Sequence, residues 1–186
     1  MEYRSVPDEI SRLLEDFLHG KGLLLEKAAH SLVKALKSGH KVLIFGNGGS
    51  AAEAQHLAGE LVNTFSRPRK PLRAVALTTD TSALTSIAND TSFHFVFSRQ
   101  VEALGDEGDI ALALSTSGTS RNIVEALKAA RKKKMLTIAL TGEGGGKLGP
   151  LADFLLAVPS RSTPRIQEIH LVLLHLLARE IDDRLA

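Results

Sequence analysis

Apolar residues recur at helical spacing from Ile10 to Lys37: Leu13, Leu14, Phe17 and Leu18, then Leu23, Leu24, Leu25, Ala28, Ala29, Leu32, Val33 and Leu36. That period predicts a helical N-terminal segment over about 7–37, in two helices broken near His19-Gly20-Lys21-Gly22. Ser38-Gly39-His40 is a stop signal. Beyond it the pattern changes. Short apolar, β-rich runs at Lys41–Phe45, Leu72–Leu77, Asp109–Leu114, Met135–Thr141 and Phe154–Val158 predict five buried strands. Ser50–Thr64 and Ser120–Lys133 carry helical patterns, and Asp80–Asn89 reads as a helix or helical loop. Gly142–Gly149 is a glycine-rich loop, and Pro164–Leu185 a long final helix. The apolar residues of that last helix, Ile166 to Ile181, occupy much of its surface. Burial on several sides follows, against another subunit or at a central position within the monomer.

Strands alternating with helices make βα units and a parallel sheet covered on both faces. The chain of 186 residues suits one such α/β domain, 1–186, and shows no solenoid-length repeat.

Composition narrows the function classes. Hydrophobic residues are 44% and charged residues 24%, the balance of an ordinary globular protein. With no cysteine, disulfide and thiolate chemistry are excluded, and a reducing compartment is compatible. The first nine residues lack the basic-then-apolar pattern of a secretory signal. The longest apolar stretch, Leu171–Ala178, is interrupted by His175 and far shorter than the ~20 residues of a membrane span. A net charge of +2, aromatic content of 4% and no tryptophan argue against nucleic acid as a partner. The expectation is a cytoplasmic protein with neither membrane nor nucleic acid as partner.

Two turns carry candidate chemistry. Gly46-Asn47-Gly48-Gly49-Ser50 follows the first strand and opens a helix. Ligands of open parallel sheets bind beyond the carboxyl ends of the strands, and a glycine turn at a helix N-terminus offers N–H groups to an anion. The spacing is neither a Walker A loop nor a G-x-G-x-x-G fingerprint. The plain alternative is a tight turn with Ser50 as N-cap. Ser115-Thr116-Ser117-Gly118-Thr119-Ser120 places five hydroxyls in six residues at the same kind of junction, more than one helix cap needs. Its plain alternative is a cap by Thr119 or Ser120. Two such turns in one sheet favour a phosphorylated ligand.

His56 and Glu60 share one helix face, a spacing that suits a metal ion, acid–base catalysis or a surface hydrogen-bonded pair. The last helix holds Gln167, Glu168, His170 and His175. Helical phase puts Glu168, seven residues from His175, nearest one line with it, and Gln167 somewhat off it. His175 lies in an apolar run. It is a core histidine by default and a proton shuttle by chemistry. Arg131-Lys132-Lys133-Lys134 reads as cations at a helix C-terminus, and Arg67–Arg73 as a solvated basic loop.

Taken in order, Gly46–Ser50, His56-Leu57-Ala58-Gly59-Glu60-Leu61, Ile87-Ala88-Asn89-Asp90, Ser115–Ser120 and Arg165-Ile166-Gln167-Glu168-Ile169-His170 resemble the SIS-domain sedoheptulose 7-phosphate isomerases, or phosphoheptose isomerases. The resemblance covers nearly the whole chain. It implies a flavodoxin-like, five-stranded parallel sheet flanked by helices, and a homotetramer with active sites at subunit contacts. It also implies one zinc ion per subunit. Asn47, Gly48, Gly49, Ser50, Asn89, Asp90, Ser115, Thr116, Ser117 and Ser120 would line the sugar-phosphate site, with Glu60 and Gln167 touching substrate as well. His56, Glu60, Gln167 and His175 would hold the zinc, the resemblance choosing Gln167 where phase favours Glu168. Glu60 and His175 would be catalytic. The implied reaction converts sedoheptulose 7-phosphate to D-glycero-D-manno-heptose 7-phosphate, the first step toward ADP- or GDP-heptose and lipopolysaccharide precursors. Two positions depart from the family pattern. Thr119 stands where asparagine is common, and Thr163-Pro164 stands where some members carry an aspartate. A rival reading comes from the related proteins that bind the DnaA replication initiator without catalysis. Those generally lack the acid and histidine found here as Glu60 and His175.

Overall fold

Every residue of β1 (Val42–Gly46) and β3 (Ile110–Ser115) is buried, because helices cover both faces of the sheet to which they belong. The computed structural model describes residues 3–186. Its strands run in the order β2 (Ala74–Ala76), β1, β3, β4 (Leu136–Thr141), β5 (Phe154–Ala157), all parallel. Alternation along the strands divides the core. Val42, Ile44, Ile110, Leu112, Ile138 and Leu140 face one way and pack with α1 (Val6–Lys37), α2 (Gly49–Val62) and α6 (Thr163–Leu185). Leu43, Phe45, Ala111, Ala113 and Ala139 face the other way. There they meet α3 (Thr81–Asp90), α4 (Ser98–Leu104) and α5 (Arg121–Lys132). Phe45 stacks on Phe97 with ring centroids 5.7 Å apart. This is the expected five-stranded parallel architecture.

Three local expectations are corrected. The N-terminal segment is one helix of 32 residues, not two broken at Gly20 and Gly22. Each interior glycine costs about 1 kcal/mol of helix propensity. The buried stripe of Leu13, Phe17, Leu25, Ala28, Leu32 and Leu36 nonetheless keeps its phase across them. Lys21, between the two, donates to the Leu155 carbonyl at 3.3 Å. Tertiary packing therefore overrides propensity. A second correction is α4, which apolar spacing did not reveal because two of its three buried residues, Ser98 and Gln100, are polar. Gln100 is satisfied there by the carbonyls of Leu77 and Val96. In the third, part of the glycine-rich loop winds into a 3-10 turn over Gly146–Leu151.

The basic loop after α2 is not simply solvated either. Arg69 is buried, and its Nε donates to Asp182 Oδ1 at 2.6 Å. Its remaining donors reach the carbonyls of Glu60, Leu61, Asn63 and Lys70 at 2.7–3.1 Å. Asp182 Oδ2 accepts the backbone N–H groups of Phe65, Ser66 and Arg67. Burial alone would raise the Asp182 pKa. The backbone donors and Arg69 outweigh it and hold the carboxyl below its ordinary value. The pair thus ties the loop to the C-terminal part of α6. Arg69→Met leaves a buried carboxylate without its cation, an expected loss of about 3–5 kcal/mol. Thermal melting should show Tm lower by on the order of 10 °C. A Tm within a degree of wild type would refute this account of the clamp.

Candidate active site

The strand order reverses direction between β1 and β3, and the two turns singled out by composition lie side by side there. Gly46 must be glycine, since a Cβ would fall 2.7 Å from the backbone oxygen of Ser50. Gly48, with φ +55°, is the N-cap of α2, so Ser50 is not the cap and lies in the first turn. Ser120 occupies the N-cap position of α5, yet its side chain makes no cap bond. Both helices thus begin without a hydroxyl cap, which removes the plain alternatives and leaves two N-termini available to an anion. The turns are bolted together by Asn47 and Asn122, whose amides exchange hydrogen bonds of 3.0 and 2.8 Å. Between them lies a cleft of about 240 Å³, lined by Asn47, Gly49, Ser50, Leu114, Ser115, Thr116, Ser120, Thr163 and Gln167. None of these is charged, so an anion here would meet helix dipoles, amides and hydroxyls, not a lysine or arginine.

A polar seam leads away from the cleft along the contact of α2 with α6. The first layer sets Gly49 against Gln167, so closely that a Cβ on Gly49 would fall 2.4 Å from the Gln167 Nε2. One turn on, Glu53 Oε2 lies 4.0 Å from His170 Nδ1. The third layer brings His56 Nε2 to 2.8 Å from His175 Nε2, with Glu60 Oε1 3.5 Å from the same His56 nitrogen. Phe65 stacks on the His175 ring at 5.3 Å. The two helices therefore run side by side in one direction, and His175 reaches His56 within a single chain. With both rings neutral, one Nε2 donates and the other accepts. His56 and Glu60 keep 41% and 23% of their side-chain surface in contact with solvent, so substrate can approach.

Not every predicted residue arrives. Gln167 is in the cleft and not at the histidine pair; eight residues of helix put it roughly 12 Å along α6 from His175. Glu168, which phase favoured, is bound to Arg165 instead. Gly48 lines a smaller pocket on the far side of its turn, with Phe93 and Phe97. Ser117 is exposed and accepts the Thr119 N–H. Asn89 and Asp90 are exposed at the end of α3, bonded to each other at 2.8 Å, and line no part of the cleft. In turn, Asn122, Thr163, Glu53 and Phe65 were not foreseen. Asn122 and Glu53 did leave a trace, as polar residues on faces whose neighbours are apolar.

Comparison with known proteins adds the following. A family model described as SIS domain matches residues 7–142. A Campylobacter jejuni protein named phosphoheptose isomerase is 53% identical over 159 residues, 86% of each chain. One from Azoarcus is 50% identical over 185 residues, 94% of each. Among solved structures, phosphoheptose isomerase GmhA from Neisseria gonorrhoeae superposes with TM-score 0.91 at 44% identity, over 97% of this chain and 96% of that one. A phosphoheptose isomerase from Francisella tularensis gives 0.93 at 38% identity over the same shares. Nothing among these similarities supports the initiator-binding reading.

The middle layer of the seam has a distinctive titration. Burial pushes the Glu53 carboxyl up to about 7, against a lesser opposing hydrogen bond from Ser50. Burial also pulls His170 down to about 4, against its bond to the Thr141 carbonyl. Between about pH 4.5 and 6.5 the folded pair therefore holds one proton, on Glu53. The unfolded pair also holds one, on histidine. Glu53 stabilises the fold at low pH and loses that contribution as pH rises toward 7. His170 contributes above its unfolded pKa and loses it as pH falls toward 4. The two slopes cancel. Removing either partner should expose the other: urea unfolding free energy of Glu53→Gln should rise with pH in this window, and that of His170→Gln should fall, each by up to about 1.4 kcal/mol per unit. Parallel slopes for the two variants would sink the assignment.

Proposed function

The chain belongs to the SIS-domain family, and we propose that it works there as an aldose–ketose isomerase interconverting sedoheptulose 7-phosphate and D-glycero-D-manno-heptose 7-phosphate. The observation that carries this reading is the convergence of His175 with His56 and Glu60 along the same seam that opens into the uncapped cleft. The phosphate lies in the cleft against the α2 and α5 N-termini, where its binding energy acts at a distance from the reacting carbons. Carbons 1 and 2 lie at the histidine cluster.

Isomerisation needs a proton taken from the carbon beside the carbonyl and returned to its neighbour through an enediol. Glu60 takes and returns the carbon proton. His175 moves the proton between the two oxygens, its ring held by Phe65 and the His56 edge. Arg69, bonded to the Glu60 carbonyl, steadies the backbone beneath the base.

Two imidazole nitrogens and a carboxylate form a donor set that suits zinc. Among the described residues no group of three or more His, Cys, Asp or Glu is already arranged as a metal site. The 2.8 Å between the two Nε2 atoms is shorter than the ~3.3 Å of two nitrogens on a tetrahedral zinc, so the rings would part slightly to admit it. His56, Glu60 and His175 would hold the ion, one per subunit, and Gln167 would complete the set only by leaving Gly49. When bound, zinc would polarise the substrate oxygens.

Exposed apolar side chains support an assembly. Leu18 and Leu23 of α1 and Leu171 of α6 are 40%, 75% and 37% exposed, an apolar face near a site that one chain leaves open to water. A homotetramer that covers this face would shield the enediol. No helix among the described residues is long and apolar enough to cross a membrane. A cytoplasmic location suits a charged sugar phosphate, and its product feeds nucleotide-activated heptose and lipopolysaccharide precursors.

Glu60→Gln should lower kcat by roughly 10³-fold while sedoheptulose 7-phosphate still binds, as titration calorimetry beside a coupled assay would show. Near-normal turnover would overturn the assignment. Metal analysis and light scattering should return zinc stoichiometric with the chain and a four-chain mass. A fully active, metal-free monomer would remove both of those parts.

A further inference from the structure

Glu53 and His170 stand between the cleft and the histidine cluster, and the isomerisation proposed above uses neither. Glu53 is 9% exposed and His170 0%. Ser50, one turn earlier on α2, stands close enough to offset part of the effect of burial on the Glu53 carboxyl, and it lines the cleft. The second Glu53 oxygen, Oε2, and His170 Nδ1 are buried without a hydrogen-bond partner, 4.0 Å apart.

The protons of this pair can be placed. His170 Nε2 lies 3.1 Å from the Thr141 carbonyl, which only accepts, so Nε2 carries the ring proton. Nδ1 is then a bare acceptor. A carboxylate oxygen opposite it would be a second bare acceptor, and two of these facing each other out of water repel. A proton on Glu53 Oε2 turns the repulsion into attraction. A side-chain shift of about 1 Å brings that O–H onto Nδ1 at hydrogen-bond distance.

We propose that Glu53 is a positioning residue of the cleft: as a neutral acid it directs its proton toward His170 and holds the Ser50 hydroxyl with its other oxygen. This role rests on the reading of the cleft as the phosphate site. An ionised Glu53 would set a negative charge one turn from the N–H groups that receive the phosphate, and would compete for the same helix field. The neutral acid keeps Ser50 in register and leaves that field to the ligand. Burial, with no charged neighbour contributing, already holds Glu53 up to about 7 and His170 down to about 4.

The test compares wild type with Glu53→Leu, Glu53→Ala and Glu53→Gln in steady-state kinetics on sedoheptulose 7-phosphate. It adds infrared spectra at pH 6. Either truncation should raise KM about tenfold and leave kcat within about twofold, the loss of one hydrogen bond at the binding end of the site. Glu53→Gln, neutral and isosteric, should recover all but two- to threefold of that KM. Wild type should show a protonated-carboxyl band that Glu53→Gln lacks, a readout that survives even if the truncations fail to fold. Truncations with wild-type KM, a Gln variant as impaired as Leu, or no protonated band at pH 6 would each overturn the role. A wild type that neither turns over the sugar phosphate nor binds inorganic phosphate would bring down the isomerase reading and the Glu53 role with it. Normal wild-type turnover with any of the overturning results brings down the Glu53 role alone.

Discussion

The side-by-side packing of α2 on α6 is the constraint on which the rest of the molecule depends. His56 and His175 are 119 residues apart in the chain and 2.8 Å apart in space. Their meeting requires two helices to hold both azimuth and register over three turns. Apolar residues supply the adhesion: Leu57 and Leu61 from α2, Ile166, Ile169, Leu173, Leu174 and Leu177 from α6, all in one cluster with α1. The polar line at its edge supplies the register. Gly49 meets Gln167 at one end of it. Beyond its other end, the Arg69–Asp182 clamp ties the chain leaving α2 to the last turns of α6. A slip by one residue would turn every polar partner through about 100° and part all three layers.

Such a seam is costly in a core, and the structure shows how the cost is contained. The Asp182–Arg69 pair has its donors and its acceptor oxygens matched by loop backbone, which is the condition under which a buried ion pair is tolerated. Asp109 is treated likewise at the start of β3, taking the N–H groups of Lys41 and Asp106 and the Lys41 ammonium. Glu53 and His170 follow a different rule. They have no counter-charge, and burial keeps both neutral. A charge is therefore paired where the fold needs an anchor and suppressed where it adjoins the cleft.

Much of this architecture was legible in the sequence, because strands buried on two faces write themselves as continuous apolar runs. The five runs became the five strands, and the glycine and serine turns fell at their carboxyl ends as a parallel sheet demands. The failures share one cause. Gly20 and Gly22 suggest a break by propensity, but the face that decides the matter is set by what α6 and β5 present to α1. Arg69 resembled its solvated neighbours because nothing local announces an aspartate 113 residues later. Asn122 needed Asn47, which lies 75 residues earlier. Long-range pairing was invisible to pattern. The histidine seam itself became legible only through resemblance to a family, since phase within α6 pointed to Glu168, now found on Arg165.

The same geometry bears on which sugar the site accepts. On the proposed reading, the phosphate is fixed by backbone at the first turn of α2, and the chemistry is done by side chains farther along that helix. The rise from Ser50 to His56 is roughly 9 Å and that from Ser50 to Glu60 roughly 15 Å. Helix backbone is stiff, so α2 acts as a ruler between phosphate and reacting carbons, and α6 keeps the far mark in place. A short sugar phosphate held in the cleft would leave its carbonyl short of the histidine cluster, at the level where Glu53 and His170 are buried away from the ligand. An extended seven-carbon chain reaches farther along α2, toward His56 and the Glu60 side chain, which leans back toward the helix N-terminus. Length selection then needs no side chain that recognises the sugar's middle carbons: it follows from where the two helices first touch and where their histidines meet.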